Sequence, residues 1–170
     1  MMRFAFLSSL NELLNDPLAF LESLLYRVPA MLIALVLHEW AHGFVAYKLG
    51  DPTAKQMGRL SLNPLRHLDP LGTALLFLVG FGWAKPVPID PRYFKNKHRD
   101  DLLVSIAGIT MNLIIFIVFS TLYYVALRAA VSCGFLVRWQ GAFYYAENKS
   151  WLFDYLTGVM QYTAVISLSL

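Results

Sequence analysis

The chain has 170 residues, of which 58% are hydrophobic and only 15% are charged. This balance is too apolar for an ordinary soluble domain, so it predicts one membrane-embedded domain over residues 1–170. The formal net charge is only +3, and the basic residues are spread between apolar runs. That distribution indicates membrane topology signals and argues against nucleic acid as a partner. A single cysteine, Cys133, excludes a disulfide framework or a cysteine zinc site within one chain.

The first long apolar stretch, residues 24–49, predicts a membrane helix that ends at the turn formed by residues 50–52. Within it, His38 and His42 are four residues apart and therefore share a helix face, where they can bind one metal ion. Zinc accepts neutral imidazole ligands and activates a bound water, from which Glu39 is suited to take the proton. A chance match is the alternative, but ionisable residues are costly inside a membrane helix, which favours the metal site.

Two weaker elements are predicted next. Residues 58–62 alternate between polar and apolar side chains, which indicates a short β-strand. Residues 71–84 are apolar but too short to cross a bilayer, so they predict a re-entrant or short helix. The basic loops on both sides of this segment then lie on the same face of the membrane, which the positive-inside rule makes cytoplasmic.

The clearest spanning helix covers residues 102–128, because the run up to Leu127 carries no charge. After an aromatic segment typical of a membrane interface, residues 157–170 predict a helix that is still incomplete at Leu170. We therefore expect the chain to be a fragment that ends inside this helix. The predicted fold class is an all-α polytopic membrane protein with a metal-binding transmembrane helix, a re-entrant or short helix, a possible small β-strand and a truncated last helix.

Four stretches occur in a characteristic order: the helix with His38–His42, the run GRLSLNPLRHLDPLG at 58–72, GWAKPVP at 82–88, and AGITMN at 107–112. Together they closely resemble the site-2 protease family, in particular its small bacterial branch. The resemblance covers roughly residues 30–119. Its members are intramembrane zinc metalloproteases, so it implies an enzyme of the bacterial inner membrane that cleaves within or near transmembrane segments of membrane-protein substrates. The charges of the loops, and not the resemblance, predict that the active site lies towards the cytoplasm.

The resemblance also implies roles for single residues. His38 and His42 match the zinc-binding histidines of the family, Glu39 matches its catalytic glutamate, and the implied cofactor is Zn²⁺. Asn112 matches an asparagine of the substrate-binding site, where its amide would stabilise the oxyanion that develops at the scissile carbonyl. An asparagine that bridges two helices is an equally good interpretation of Asn112. The expected partners are substrate transmembrane segments and the lipid bilayer, and the oligomeric state stays open.

The third zinc ligand of the family is an aspartate in a Leu-Asp-Gly motif on a later helix, and no such motif occurs between His42 and Leu170. Two protein ligands are one fewer than a catalytic zinc site needs. We expect the third ligand beyond Leu170, and Asp69 is the alternative. Asp69 also fits the role of an N-terminal cap of the helix that follows it.

A transmembrane substrate must be locally unwound before water reaches its backbone, and strand 58–62 is predicted to hold the unwound segment by pairing with it. Three other functions are considered. A catalytically inactive homologue that acts as a membrane-protein interaction module is disfavoured by the intact His38, Glu39 and His42 set. A metal transporter would need more polar residues on the long helix, and a haem protein could use only one of the two histidines as an axial ligand.

Overall fold

The structure, a computed structural model, describes residues 13–79, 83–139, 142–145 and 150–168. Its main elements, in chain order, are helices α1 (Pro17–Lys48), α2 (Thr53–Gln56), α3 (Pro70–Val79) and α4 (Lys97–Ser132), strands β1 (Leu136–Trp139) and β2 (Ala142–Tyr145), and helix α5 (Trp151–Ser167). Two single-turn 3-10 helices lie at Pro64–Arg66 and Pro91–Tyr93. The fold is all-α apart from one small hairpin, as predicted.

Helices α1 and α4 are, among the described residues, the two that are long and apolar enough to cross a membrane. They contain 32 and 36 residues, which correspond to lengths of about 48 Å and 54 Å, more than the ~30 Å of a bilayer core. Large apolar side chains on α4, such as Ile109 and Leu113, are exposed. These features are those of a membrane protein.

Both long helices begin earlier than predicted because their N-terminal caps lie outside the apolar runs. The side chain of Asp16 accepts a hydrogen bond from the first turn of α1 at 3.0 Å, and Pro17 occupies the first turn. Asn96 caps α4 in the same way, at 3.2 Å. The predicted ranges 24–49 and 102–128 are therefore the apolar parts of longer helices.

The short helix α3 has 10 residues, about 15 Å, which agrees with the prediction that it is too short to cross. The prediction that helix continues to residue 84 is wrong, because Ala84 pairs with Leu68 in an isolated antiparallel bridge. The backbone N–H of Lys85 also donates to the carbonyl of His67 at 2.8 Å. These contacts return the chain to the point where it entered α3.

The predicted strand at 58–62 is also wrong. The backbone N–H groups of Arg59 and Leu60 both donate to the carbonyl of Ala54, at 2.8 and 3.2 Å, which closes a turn after α2. Gly58 adopts a φ of +64°, which a strand does not allow. The strands that the structure does contain, β1 and β2, form an antiparallel hairpin in the aromatic segment after α4.

Helices α1, α4 and α5 pack against one another pairwise. Helix α4 runs antiparallel to α1, since Val104 packs near Ala46 and Gly108 reaches the earlier residues His38 and His42. Its buried residues form a stripe along the side that faces the bundle, at Asp100, Val104, Gly108, Asn112 and Ile115.

Helix α5 runs parallel to α1 after the hairpin has reversed the chain. Its residues Tyr155, Gly158 and Tyr162 pack around Tyr26, whose ring centroid lies 5.7 Å from that of Tyr155 and 6.2 Å from that of Tyr162. The last helix predicted at 157–170 begins earlier, at Trp151, because Ser150 caps it. Residues 169–170 lie outside the described part of the chain.

Candidate metal centre

The two histidines of α1 point at each other. Their Nε2 atoms are 3.0 Å apart, and their ring centroids are separated by 4.7 Å at an interplanar angle of 78°. This arrangement follows from the helix, on which His38 and His42 lie one above the other. The two nitrogens are within hydrogen-bonding distance of each other, which places them close enough together for both to reach one metal ion.

His42 is oriented by the neighbouring helix. Its Nδ1 lies 2.7 Å from the carbonyl oxygen of Val104 on α4, so Nδ1 carries the proton and donates it to that oxygen. The lone pair of Nε2 is then directed at His38, as a metal ligand requires. The Nδ1 of His38 is buried and has no hydrogen-bond partner among the described residues.

Gly108 allows α4 to approach the two rings. A Cβ atom added at this position would lie 2.7 Å from Nε2 of His38 and 2.6 Å from its Cε1, and closer still to Nε2 of His42. No side chain fits between α4 and the imidazole nitrogens. Neither the Val104 carbonyl nor this role of Gly108 was predicted, although Gly108 belongs to the AGITMN motif.

Glu39 extends away from α1 towards the segment that follows α3. Its Oε2 accepts a hydrogen bond from the backbone N–H of Val87 at 2.8 Å. Val87 is 7% exposed and belongs to the GWAKPVP motif, which was the available signal for this contact. One carboxylate oxygen of Glu39 is thereby fixed by a neutral donor.

Asn112 lies on the buried stripe of α4, one helical turn after Gly108. It is 5% exposed, and its Oδ1 is buried without a hydrogen-bond partner among the described residues. Its placement on the side of α4 that reaches the histidines is compatible with both interpretations given above. The roles of the predicted site residues therefore stay predictions.

The two facing nitrogens fit part of a zinc site. Tetrahedral zinc with Zn–N distances of about 2.0–2.1 Å separates two nitrogens by about 3.3–3.4 Å, so the rings of His38 and His42 need to part by only a few tenths of an ångström. Among the described residues no group of three or more His, Cys, Asp or Glu side chains could hold a metal. The alternative ligand, Asp69, caps α3 instead: its Oδ1 accepts from the N–H groups of Leu71 and Gly72 at 3.0 and 2.9 Å.

Curated relatives match more than half of the chain. It is 52% identical over 90 residues to "Putative zinc metalloprotease YwhC" of Bacillus subtilis, an alignment that covers 53% of this chain and 41% of that protein. The chain is therefore similar to a protein whose printed name is that of a putative zinc metalloprotease. It is also 34% identical over 103 residues to "Putative zinc metalloprotease Rip2" of Mycobacterium tuberculosis, covering 58% of this chain and 39% of that protein. No protein-family model and no solved structure matches the chain.

A third relative, Rip2 of Mycolicibacterium smegmatis, is 30% identical over 105 residues, which cover 58% of this chain and 40% of that protein. The chain thus spans about two fifths of the length of the curated relatives that it matches. The printed names of these relatives are those of putative zinc metalloproteases.

Proposed function

We propose that this chain contains the metal-binding helix of an intramembrane zinc metalloprotease, which hydrolyses peptide bonds within or near transmembrane segments of membrane proteins. The observation that carries the proposal is the pair of Nε2 atoms 3.0 Å apart on a helix long enough to cross a membrane, next to Glu39. The names of the relatives supply the reaction class.

His38 and His42 are the proposed zinc ligands. When bound, the ion would supply a water of lowered pKa and polarise the scissile carbonyl. The carbonyl of Val104 holds the proton on Nδ1 of His42, so that its Nε2 is available as a ligand. Gly108 lets the backbone of α4 pack directly against the two imidazole rings.

Glu39 is the proposed general base. It follows His38 directly on α1, and its Oε2 is held by the N–H of Val87, which limits the orientations of the carboxylate. A carboxylate positioned in this way accepts the proton of the attacking water and returns it to the leaving amine. Asn112 is the proposed substrate contact, because it lies about one turn, about 6 Å, along α4 from Gly108.

The third protein ligand is proposed to come from residues that continue α5 in the longer protein. Gly158 packs on Tyr26, and α5 runs parallel to α1 from that contact. At 1.5 Å per residue, the last residue of α5, Ser167, lies about 14 Å beyond Gly158, whereas His38 lies about 18 Å beyond Tyr26 on α1. A carboxylate that follows α5 within a few residues would therefore be near the level of the histidine pair.

The proposed location is the bacterial inner membrane, with the metal centre towards the cytoplasm. The basic residues cluster at the end where α1 finishes and α4 begins, and His42 lies six residues, about 9 Å, before Lys48 at that end. The positive-inside rule assigns such an end to the cytoplasm. The proposed partners are the lipid bilayer and the transmembrane segments of substrates.

The test is cleavage of a single-span substrate by the whole protein in vesicles, with zinc content measured in parallel. Glu39→Gln should lower the rate by about 10³-fold or more and retain zinc, because the amide cannot take a proton. His38→Ala should lose zinc as well. Glu22→Gln, an exposed glutamate of the same helix, is the matched control and should cleave normally.

The same experiment separates the proposal from an inactive homologue. Full activity of Glu39→Gln would refute the role of Glu39 as the base. A zinc-loaded wild-type protein that binds substrate segments but cleaves none would identify it as an interaction module.

A further inference from the structure

The segment that follows α3 crosses the metal helix in an extended conformation. We call residues 84–90 the strap. Two prolines, Pro86 and Pro88, flank Val87 in it, so Val87 supplies the one N–H group of this tripeptide. The side chain of Val87 packs on α1 at Gly43, where a Cβ atom would lie 3.0 Å from its Cγ1. The strap therefore presents a single donor at the position where Glu39 needs one.

Contacts on both sides of Val87 hold the strap in place. On the side before it, the carbonyl of His67 accepts from the N–H of Lys85 at 2.8 Å. On the side after it, the N–H of Asp90 donates to Oδ2 of Asp51 at 2.7 Å. Asp51 is fully buried, so this second contact is a firm attachment to the end of α1.

Arg59 makes the contact nearest to the Val87 amide. Its Nη2 donates to the carbonyl of Lys85 at 2.6 Å and to that of Pro86 at 3.1 Å. A guanidinium is a planar, permanently charged donor, so its bonds to two successive carbonyls fix the direction of the peptide chain that leads into Val87. The Nε of Arg59 is buried and has no hydrogen-bond partner among the described residues, whereas the two bonds from Nη2 lie at the surface.

The backbone of Arg59 is itself anchored. Its N–H donates to the carbonyl of Ala54 at 2.8 Å, in the turn that connects α2 to the following loop. Helix α2 in turn follows α1 after the buried Asp51, which accepts hydrogen bonds from Thr53. Arg59 thus connects the end of the metal helix to the strap that crosses back over it.

We propose that Arg59 is a positioning residue for Glu39: it holds the strap so that the Val87 amide fixes the orientation of the Glu39 carboxylate. The contact itself is a property of the fold, whereas its effect on cleavage rests on the proposed role of Glu39 as the base. Arg59 touches neither Glu39 nor the histidines in any described contact, so it acts through the strap.

The first test measures the strap without measuring cleavage. Pro86 and Pro88 lack an N–H, so the amide hydrogens of the strap that can exchange are those of Ala84, Lys85, Val87, Ile89 and Asp90. Three of them, on Lys85, Val87 and Asp90, make the hydrogen bonds described above. Hydrogen exchange of this peptide therefore reports mainly on those contacts. Arg59→Gln should accelerate its exchange by about 10-fold, and Arg59→Lys, which keeps one charged donor, should restore part of the protection.

Arg66→Gln is the matched control. Arg66 also donates from its guanidinium to a backbone carbonyl, that of Gly58, at 2.6 Å, but it has no described contact with the strap. Its variant should exchange like the wild type over residues 84–90. Unchanged exchange in Arg59→Gln, or equal acceleration in Arg59→Gln and Arg66→Gln, would overturn the proposal whether or not the protein is a protease.

The second test separates positioning from substrate binding and from stability. A displacement of the carboxylate by about 1 Å lowers kcat on the order of 10- to 100-fold, so Arg59→Gln should show this loss with KM and zinc content unchanged. Arg59→Lys should recover part of kcat. A raised KM at constant kcat would make Arg59 a substrate-binding residue. Loss of zinc or of thermal stability in both Arg59→Gln and Arg59→Lys would make its role merely structural. Either result refutes the proposal.

Discussion

Substitution of Gly108 by alanine provides a direct test of the helix approach at the metal centre. The added methyl group would lie 2.7 Å from Nε2 and 2.6 Å from Cε1 of His38. An ordinary contact between such atoms is about 3.5 Å, so α4 must move away from α1, or the rings must rotate, by about 1 Å. Either movement disturbs the converging nitrogens and the bond from His42 to the Val104 carbonyl.

Two opposing terms determine the effect on stability. Alanine is favoured over glycine inside a helix by about 0.5–1 kcal/mol, whereas overpacking of a close helix contact costs about 1–3 kcal/mol. We therefore expect Gly108→Ala to lower the free energy of unfolding by about 1 kcal/mol. Zinc affinity should fall about 10- to 100-fold, as is typical when the partners that orient metal ligands are disturbed.

The assay is a zinc titration of the whole protein in detergent, combined with thermal unfolding of the zinc-free form. Ser105→Thr is the control, since it adds one methyl group to an exposed position three residues before Gly108 on the same helix. If Gly108→Ala binds zinc with wild-type affinity and unfolds at a higher temperature, α4 does not approach the histidines as described and the reasoning fails.

Two further substitutions test the roles of buried or capping carboxylates. Asp69→Ala should lower the free energy of unfolding by about 1 kcal/mol, because α3 loses its N-terminal cap. The zinc content of the whole protein should stay unchanged. Loss of zinc would instead identify Asp69 as the third ligand. Asp51→Ala should lower the free energy of unfolding by about 2–3 kcal/mol, because the N–H groups of Thr53 and Asp90 lose their buried acceptor. Asp51→Asn keeps one acceptor oxygen and should lower the free energy of unfolding by less. Equal thermal unfolding of both variants and the wild type would contradict this prediction.

The helices were predicted well because their signals are local. Long apolar runs without charged residues predicted α1 and α4. The position of Asp69 directly before Pro70 predicted that it caps α3, which the hydrogen bonds from the N–H groups of Leu71 and Gly72 confirm. The helix starts were missed because capping side chains such as Asp16 precede the apolar runs and carry no periodic signal.

The strand at 58–62 was wrong for a different reason. Alternation over five residues also arises in a turn, and here the deciding features are the positive φ of Gly58 and the hydrogen bonds to Ala54, which depend on the short helix α2 before it. At the metal centre, the pair His38 and His42 follows from helix spacing alone. The contacts with Val104, Gly108 and Val87 come from segments far apart in the chain, which spacing cannot predict.

The bridge between Leu68 and Ala84 makes the position of the strap independent of the length of the segment that contains α3. The chain enters and leaves the α3 excursion at one pair of residues, and the strap begins only after that pair. A change in the length of the enclosed segment alters the closure free energy by only a fraction of a kcal/mol and moves neither end. Insertions or deletions within residues 69–83 should therefore leave the position of the Val87 amide on Glu39 unchanged.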